Sequence, residues 1–117
     1  MTSIPEMPQL PDHFKFRPLE LTDYKHYVEL LSQLTTVGDM DESCFQAVFN
    51  EYSTHKNIYD VWVVEDETNH CLAAATTLFI ERKVIHGGSA VGHIEDVVTH
   101  QNYRRTGIGK ALVCIFW

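Results

Sequence analysis

Two stretches in the last third of the chain hold residue types that could do chemistry. In His93-Ile94-Glu95-Asp96-Val97-Val98-Thr99, two carboxylates stand in the middle of an apolar, β-branched run. Carboxylates among apolar neighbours cost energy if buried unpaired, so they mark a place where a proton or an ammonium group is handled. In Arg104-Arg105-Thr106-Gly107-Ile108-Gly109-Lys110, two arginines and two glycines open a helical pattern carried by Ile108, Ala111, Leu112 and Ile115. The first N–H groups of a helix lack internal partners and carry the positive end of its dipole. Glycines let a ligand approach that backbone, so the loop reads as a phosphate or pyrophosphate site, with Arg104, Arg105 and Lys110 adding charge. A glycine-rich turn with two solvated arginines is the bland alternative.

Familiar relatives of these motifs are excluded by single positions. The P-loop needs a glycine where Arg104 stands and Ser or Thr after Lys110, where the chain has Ala111. The dinucleotide fingerprint needs a third glycine where Leu112 stands. His93-Ile94-Glu95 imitates the zinc deaminase His-x-Glu, but no Pro-Cys-x-x-Cys follows. His86, His93 and His100 recur every seven residues, a spacing that does not converge on a metal along a strand and its loops. No metal is therefore expected. The cysteines, Cys44, Cys71 and Cys114, have no close spacing, which suggests neither a disulfide framework nor a zinc site and points to a reducing, cytoplasmic compartment. Cys114 reads as a small buried hydrophobe.

Composition bounds the rest. The 117 residues carry a net charge of −7 with 44% hydrophobic residues, one soluble domain's worth of material. That charge argues against a general nucleic-acid binder, whose affinity rests on neutralising phosphates. The cations are gathered, however. Residues 1–80 hold four bases against thirteen acids, whereas 81–117 hold five bases against three acids, a local anion site in an acidic protein. The start of the chain lacks the basic and apolar regions of a signal peptide, and no run approaches the roughly 18 apolar residues of a membrane span.

The elements that must position these residues follow from periodicity. Pro5, Pro8 and Pro11 make residues 1–12 a flexible leader, with the domain over 13–117. Phe14–Arg17 alternates as a strand ended by Pro18. Thr22-Asp23 caps a helix with the stripe Tyr27, Leu30, Leu31, Leu34, and Asp39 or Asp41 caps a second with Cys44, Phe45, Val48, Phe49, Tyr52. Tyr59–Glu65 and Cys71–Lys83 form a hairpin, Gly87-Gly88-Ser89 a flexible loop, His93–Thr99 a further strand, and a helix starts at Gly107. The order predicts an α/β (α+β layered) fold.

What remains of the loop, Arg-x-x-Gly-x-Gly, resembles the acetyl-coenzyme A pyrophosphate loop of the GNAT acetyltransferase superfamily. Leu34-Thr35-Thr36-Val37-Gly38, Ile80-Glu81-Arg82-Lys83-Val84-Ile85-His86 and Gly92-His93-Ile94-Glu95-Asp96-Val97 together resemble one branch, the glucosamine 6-phosphate N-acetyltransferases. The resemblance covers residues 14 to about 113. It implies the GNAT acyltransferase fold, a mixed and mostly antiparallel sheet flanked by helices. It also implies acetyl transfer from acetyl-CoA to the 2-amino group of glucosamine 6-phosphate, a step toward UDP-N-acetylglucosamine. By the family pattern Thr35, Lys83, Val84, Ile85, His86, Glu95 and Asp96 contact the sugar phosphate. The backbone of Val97, Val98 and Thr99 holds pantetheine, and Arg105, Thr106, Gly107, Ile108, Gly109 and Lys110 hold the pyrophosphate. Glu95 is the candidate route for the amine's proton, with Asp96 beside it, and a Val97 amide freed by a bulge polarises the carbonyl. A structural Glu95–Arg82 pair is the competing reading.

The family forms homodimers whose copies complete each other's substrate sites. Its domain also continues with a further strand, helix and closing strand, which carry the Tyr that protonates the leaving thiolate. On this reading the chain lacks those final elements, and low stability and little turnover are expected. The rival functions are a GNAT enzyme for another amine and a non-catalytic fragment that binds CoA or pairs with a longer copy.

Overall fold

The computed structural model describes residues 11–114, less the side chains of Val113 and Cys114. The expected leader, apart from Pro11 and Asp12, lies outside the described residues, as do the reading of Cys114 as buried and the end of the chain from Ile115 to Trp117.

Four strands form one antiparallel sheet in the order β1-β2-β3-β4: β1 (Phe14–Pro18), β2 (Tyr59–Asp66), β3 (Cys71–Arg82) and β4 (Ala90–Thr99). Helices α1 (Tyr24–Ser32) and α2 (Glu42–Thr54) follow β1, the short turn α3 (Ile85–Gly88) joins β3 to β4, and α4 (Ile108–Cys114) ends the described chain. The sheet is covered on both faces. One core gathers Tyr27, Leu30 and Phe45 from the helices against Val61, Val63, Leu72, Ala75 and Val98. The other sets Ile108 and Leu112 of α4 against Val64, Ala73 and Ala74. β3 lies between the two cores, so Leu72 through Thr77 is buried without alternation, as a strand covered on both faces must be.

The sequence cues act locally with some corrections. Asp41, of the two candidate caps, accepts from the Cys44 amide at 2.7 Å and starts α2. Thr22-Asp23 is instead part of a 3-10 turn, Leu21–Asp23. The Asp23 carboxylate is taken by Arg17, whose Nη1 and Nη2 both donate at 2.8 Å, while Arg17 Nε donates to Glu65 at 2.8 Å. This fork ties β1 and β2 to the entry of α1. Cys44 is exposed and off the apolar stripe of α2, and Leu34 lies beyond the end of α1, 45% exposed. β4 begins three residues earlier than expected, and Gly87-Gly88-Ser89 is a tied turn: Lys83 N donates to Ser89 O at 2.8 Å and Arg82 Nη1 to Gly88 O at 2.7 Å.

Candidate functional site

The decisive local event is in β4. Against β3, Val98 pairs with Ala75 and Glu95 with Thr77, so Asp96 and Val97 together stand opposite Thr76. This is a β-bulge, and Asp96 adopts a φ of +52° to make it. The Thr76 hydroxyl donates to the Glu95 carbonyl at 3.4 Å on the other side of the bulge. From Ala90 to Val97 β4 is exposed or half-buried on both faces, so neither carboxylate of the pair is enclosed. Glu95, Asp96 and Val97 are all exposed, whereas Val98 is buried and Thr99 half-buried. The cost that burial would impose on the pair is therefore not incurred, because this part of the edge strand lies open to solvent. The Glu95–Arg82 pair is absent as well, since Arg82 is engaged with the Gly88 carbonyl.

Beyond Thr99 the chain makes a second tight passage. His100 N donates to Ala73 O at 2.7 Å, holding the turn Gln101–Tyr103 to β3. Arg104 Nε donates back to Thr99 O at 3.3 Å. Arg105 and Gly107 then take φ values of +67° and +84°, and Ala111 N closes onto Gly107 O as α4 begins. The two positive-φ residues turn the chain sharply into α4, whose first amides have no partner inside the helix. A Cβ on Gly107 would meet nothing within 4 Å, so the space over the loop is open. A Cβ on Gly109 would lie 3.1 Å from Thr99 Oγ1, a tight contact that the threonine side chain would have to yield to, so glycine eases the close start of α4 beside the end of β4. Arg104, Arg105, Thr106 and Lys110 are exposed and Ile108 is fully buried. Burying Ile108 and Leu112 stabilises this anchorage by roughly 1.5–3 kcal/mol for each side chain. The structure thus brings Val97–Thr99 and Arg105–Lys110 together, with the β4 end leading into the loop.

The remaining residues of the expected site lie elsewhere. Lys83, Val84, Ile85 and His86 sit at the opposite end of the β3–β4 hairpin, where Arg82 pairs with Ala90. Five residues of strand separate that register from Glu95, about 17 Å at the usual rise. Within one chain the backbone of these two groups is therefore well separated along the hairpin. Val84 and Ile85 are strongly exposed and His86 has a φ of +53°. Thr35, in the α1–α2 connection, is exposed too.

Periodicity missed two features. Glu81 takes Lys83 Nζ at 3.0 Å and His93 Nε2 at 2.9 Å, and these bonds, His93 first, hold its carboxyl below the usual range. Glu81 and His93 meet because they are diagonal neighbours across the hairpin, legible only once its register is known. The second is a cavity of about 140 Å³ between α1, α2 and the bulge, lined by Tyr27, Leu31, Phe45, Phe49, Tyr52 and Asp96. Burial pushes the Tyr27 and Tyr52 phenols up, and the Asp96 charge adds to it. Both tyrosines read from sequence as core. Among the described residues, no three His, Cys, Asp or Glu side chains gather around a common point fit for a metal, and no helix is long and apolar enough to cross a membrane.

Residues 24–114 match the model of the acetyltransferase (GNAT) family. The glucosamine 6-phosphate N-acetyltransferase of Candida albicans is 37% identical over 105 residues, which cover 89% of this chain and 70% of that protein. The enzyme of the same name from Arabidopsis thaliana is 35% identical over 105 residues with the same coverage. The crystal structure of the Arabidopsis thaliana enzyme superposes with a TM-score of 0.82 at 36% identity, covering 86% of this chain and 69% of that one.

Proposed function

Because this chain belongs to the acetyltransferase (GNAT) family, among the glucosamine 6-phosphate N-acetyltransferases, we propose that it transfers acetyl from acetyl-CoA to the 2-amino group of glucosamine 6-phosphate. The observation that carries the reading is the join between the bulged end of β4 and the Arg105–Lys110 loop. A coenzyme with an extended arm and a diphosphate needs these two surfaces side by side. The Val97–Thr99 backbone offers a strand edge to the pantetheine amides, and Arg105, Thr106, Gly107, Ile108, Gly109 and Lys110 receive the diphosphate on amides and cations.

In the reaction the amine nitrogen must shed a proton as it bonds to the acetyl carbon, while the sulfur–carbon bond breaks and thiolate leaves. Bound as an ammonium beside Asp96, the substrate first releases one proton to solvent to expose its lone pair; Glu95 then accepts the second, directly or through water, as the amide forms, and Asp96 also orients the hydroxyls. The Val97 amide, turned out of the ladder by the bulge, donates to the oxygen that becomes negative in the transition state. Exposure of Glu95 and Asp96 suits groups that meet a polar substrate from solvent.

The phosphate falls to Thr35, Lys83, Val84, Ile85 and His86, where Lys83 supplies the cation. Their distance from Glu95 along the hairpin supports a homodimer in which a second copy presents this stretch to the carboxylates of the first. The free Cys44 and Cys71 fit a reducing, cytoplasmic setting.

The test is thiol release by the purified chain with acetyl-CoA and a panel of amines: glucosamine 6-phosphate, glucosamine, a polyamine and a peptide amine. Release with glucosamine 6-phosphate well above the others is expected. Equal or greater release with another amine would assign the chain a different substrate, and CoA binding without release would make it a binding subunit.

A further inference from the structure

Asp66, the last residue of β2, is 1% exposed and plays no part in the chemistry above. Its Oδ1 accepts from the amides of Thr68 and Asn69 at 3.0 and 3.2 Å, which shapes the β2–β3 turn. Its Oδ2 accepts from Asn69 Nδ2 at 2.7 Å and from the Tyr103 hydroxyl at 2.6 Å, across 37 positions of sequence. The Tyr103 hydroxyl, followed by these other donors, holds the carboxyl down to about 2, so Asp66 is a full anion at any working pH.

Tyr103 is the residue directly before Arg104. Its ring packs edge-on to Phe14 at 5.7 Å and to His100 at 5.9 Å, and its hydroxyl also meets Cys71 Sγ at 3.2 Å. Its carbonyl accepts from the Thr106 hydroxyl. Between Tyr103 and the buried Ile108, every residue is exposed, and Arg105 is held at a φ that L-residues disfavour. A conformation of that kind persists only when its surroundings over-determine it. Two anchors flank the loop: Ile108 by burial on one side, Tyr103 by the Asp66 carboxylate on the other.

We propose that Tyr103, latched by Asp66, is a positioning residue for the coenzyme, fixing the root of the Arg104–Lys110 loop so that its amides face the diphosphate. The proposal rests on the coenzyme reading of that loop. The latch acts on the diphosphate end alone, since Val98 and Thr99 are set by their own pairing with Ala75 and Ala74 of β3. The chemistry it serves is therefore selective: ligands with the diphosphate depend on it and ligands ending at pantetheine do not.

The test compares CoA and pantetheine binding by calorimetry for the 117-residue chain and two variants, Tyr103→Phe and Asp66→Asn. The first removes one hydroxyl, and the second keeps the shape but removes the charge. Tyr103→Phe is expected to weaken CoA about tenfold, equivalent to about 1.4 kcal/mol, with pantetheine unchanged. Asp66→Asn shifts the same way, and Cys71→Ala leaves both ligands within about twofold, because a thiol is a weak partner. CoA binding unaltered by Tyr103→Phe overturns the latch. Equal loss of both ligands also overturns it, since that is the signature of general destabilisation. If the parent chain binds CoA no more tightly than pantetheine, the coenzyme reading of the loop fails and the latch falls with it.

Discussion

Replacing Gly107 with alanine isolates the conformation of the loop from its charge. Gly107 has a φ of +84°, and a Cβ there would touch nothing within 4 Å. The substitution introduces no clash and removes no side-chain contact, so its cost is conformational, about 1–2 kcal/mol for an L-residue in the left-handed region. If the free variant relaxes and must regain the turn to take the diphosphate, that strain appears in binding. At 1.4 kcal/mol per decade, CoA should bind roughly five- to thirtyfold more weakly. Gly38→Ala is the matched control: its φ is +80° and its surroundings are equally open, but it lies in the α1–α2 connection. Gly107→Ala, whose loop relaxes when free, should melt close to the parent, whereas strain that Gly38→Ala retains in the fold lowers melting by about 4 °C or more per kcal/mol for a domain of this size. Only Gly107→Ala should lose CoA in calorimetric titration. Equal CoA affinity in the two variants, whether both retained or both reduced, would refute the claim that the left-handed turn at Gly107 shapes the anion site.

Glu81 links stability to pH. Its folded carboxyl lies below the ordinary 4.5 through His93 and then Lys83, so it stabilises the fold above that value and the contribution fades as pH falls through the folded value. Melting curves from pH 3 to 7 should show the parent above Glu81→Gln near neutrality and the two converging in acid; a constant gap would contradict the pairing. Leu30→Ala, at a fully buried position where α1 meets the sheet, should cost about 2–5 kcal/mol in urea unfolding, and a loss under 1 kcal/mol would mean the site collapses around the cavity.

How much of this was legible in the sequence depended on whether a feature was local. The hairpin of β2 and β3, the Asp41 cap and the two-glycine passage into α4 follow from alternation, cap chemistry and glycine placement, and the structure has all three. The start of β4 was hidden because Ala90 and Gly92, on either side of Val91, have little strand character of their own and the stretch is a strand by pairing with Ile80–Arg82. The bulge at Asp96 and Val97 was hidden because its position is a property of the β3–β4 register. The same holds for the contacts that join distant positions: Arg17 with Asp23 and Glu65, Glu81 with His93, and Asp66 with Tyr103. Charge type and spacing pointed to an anion site in the final third of the chain, the expectation on which the proposed coenzyme slot rests, and register decided which side chains stand around that place.

The central claim is that the β4 bulge and the loop after it form one coenzyme slot. Amide chemical-shift mapping of the 117-residue chain during titration with CoA tests it most directly. Perturbations should concentrate at Val97–Thr99 and Arg105–Lys110 and saturate together. Shifts centred instead on Tyr27, Phe45 and Tyr52 around the α1–α2 cavity, with the loop unmoved, would contradict it.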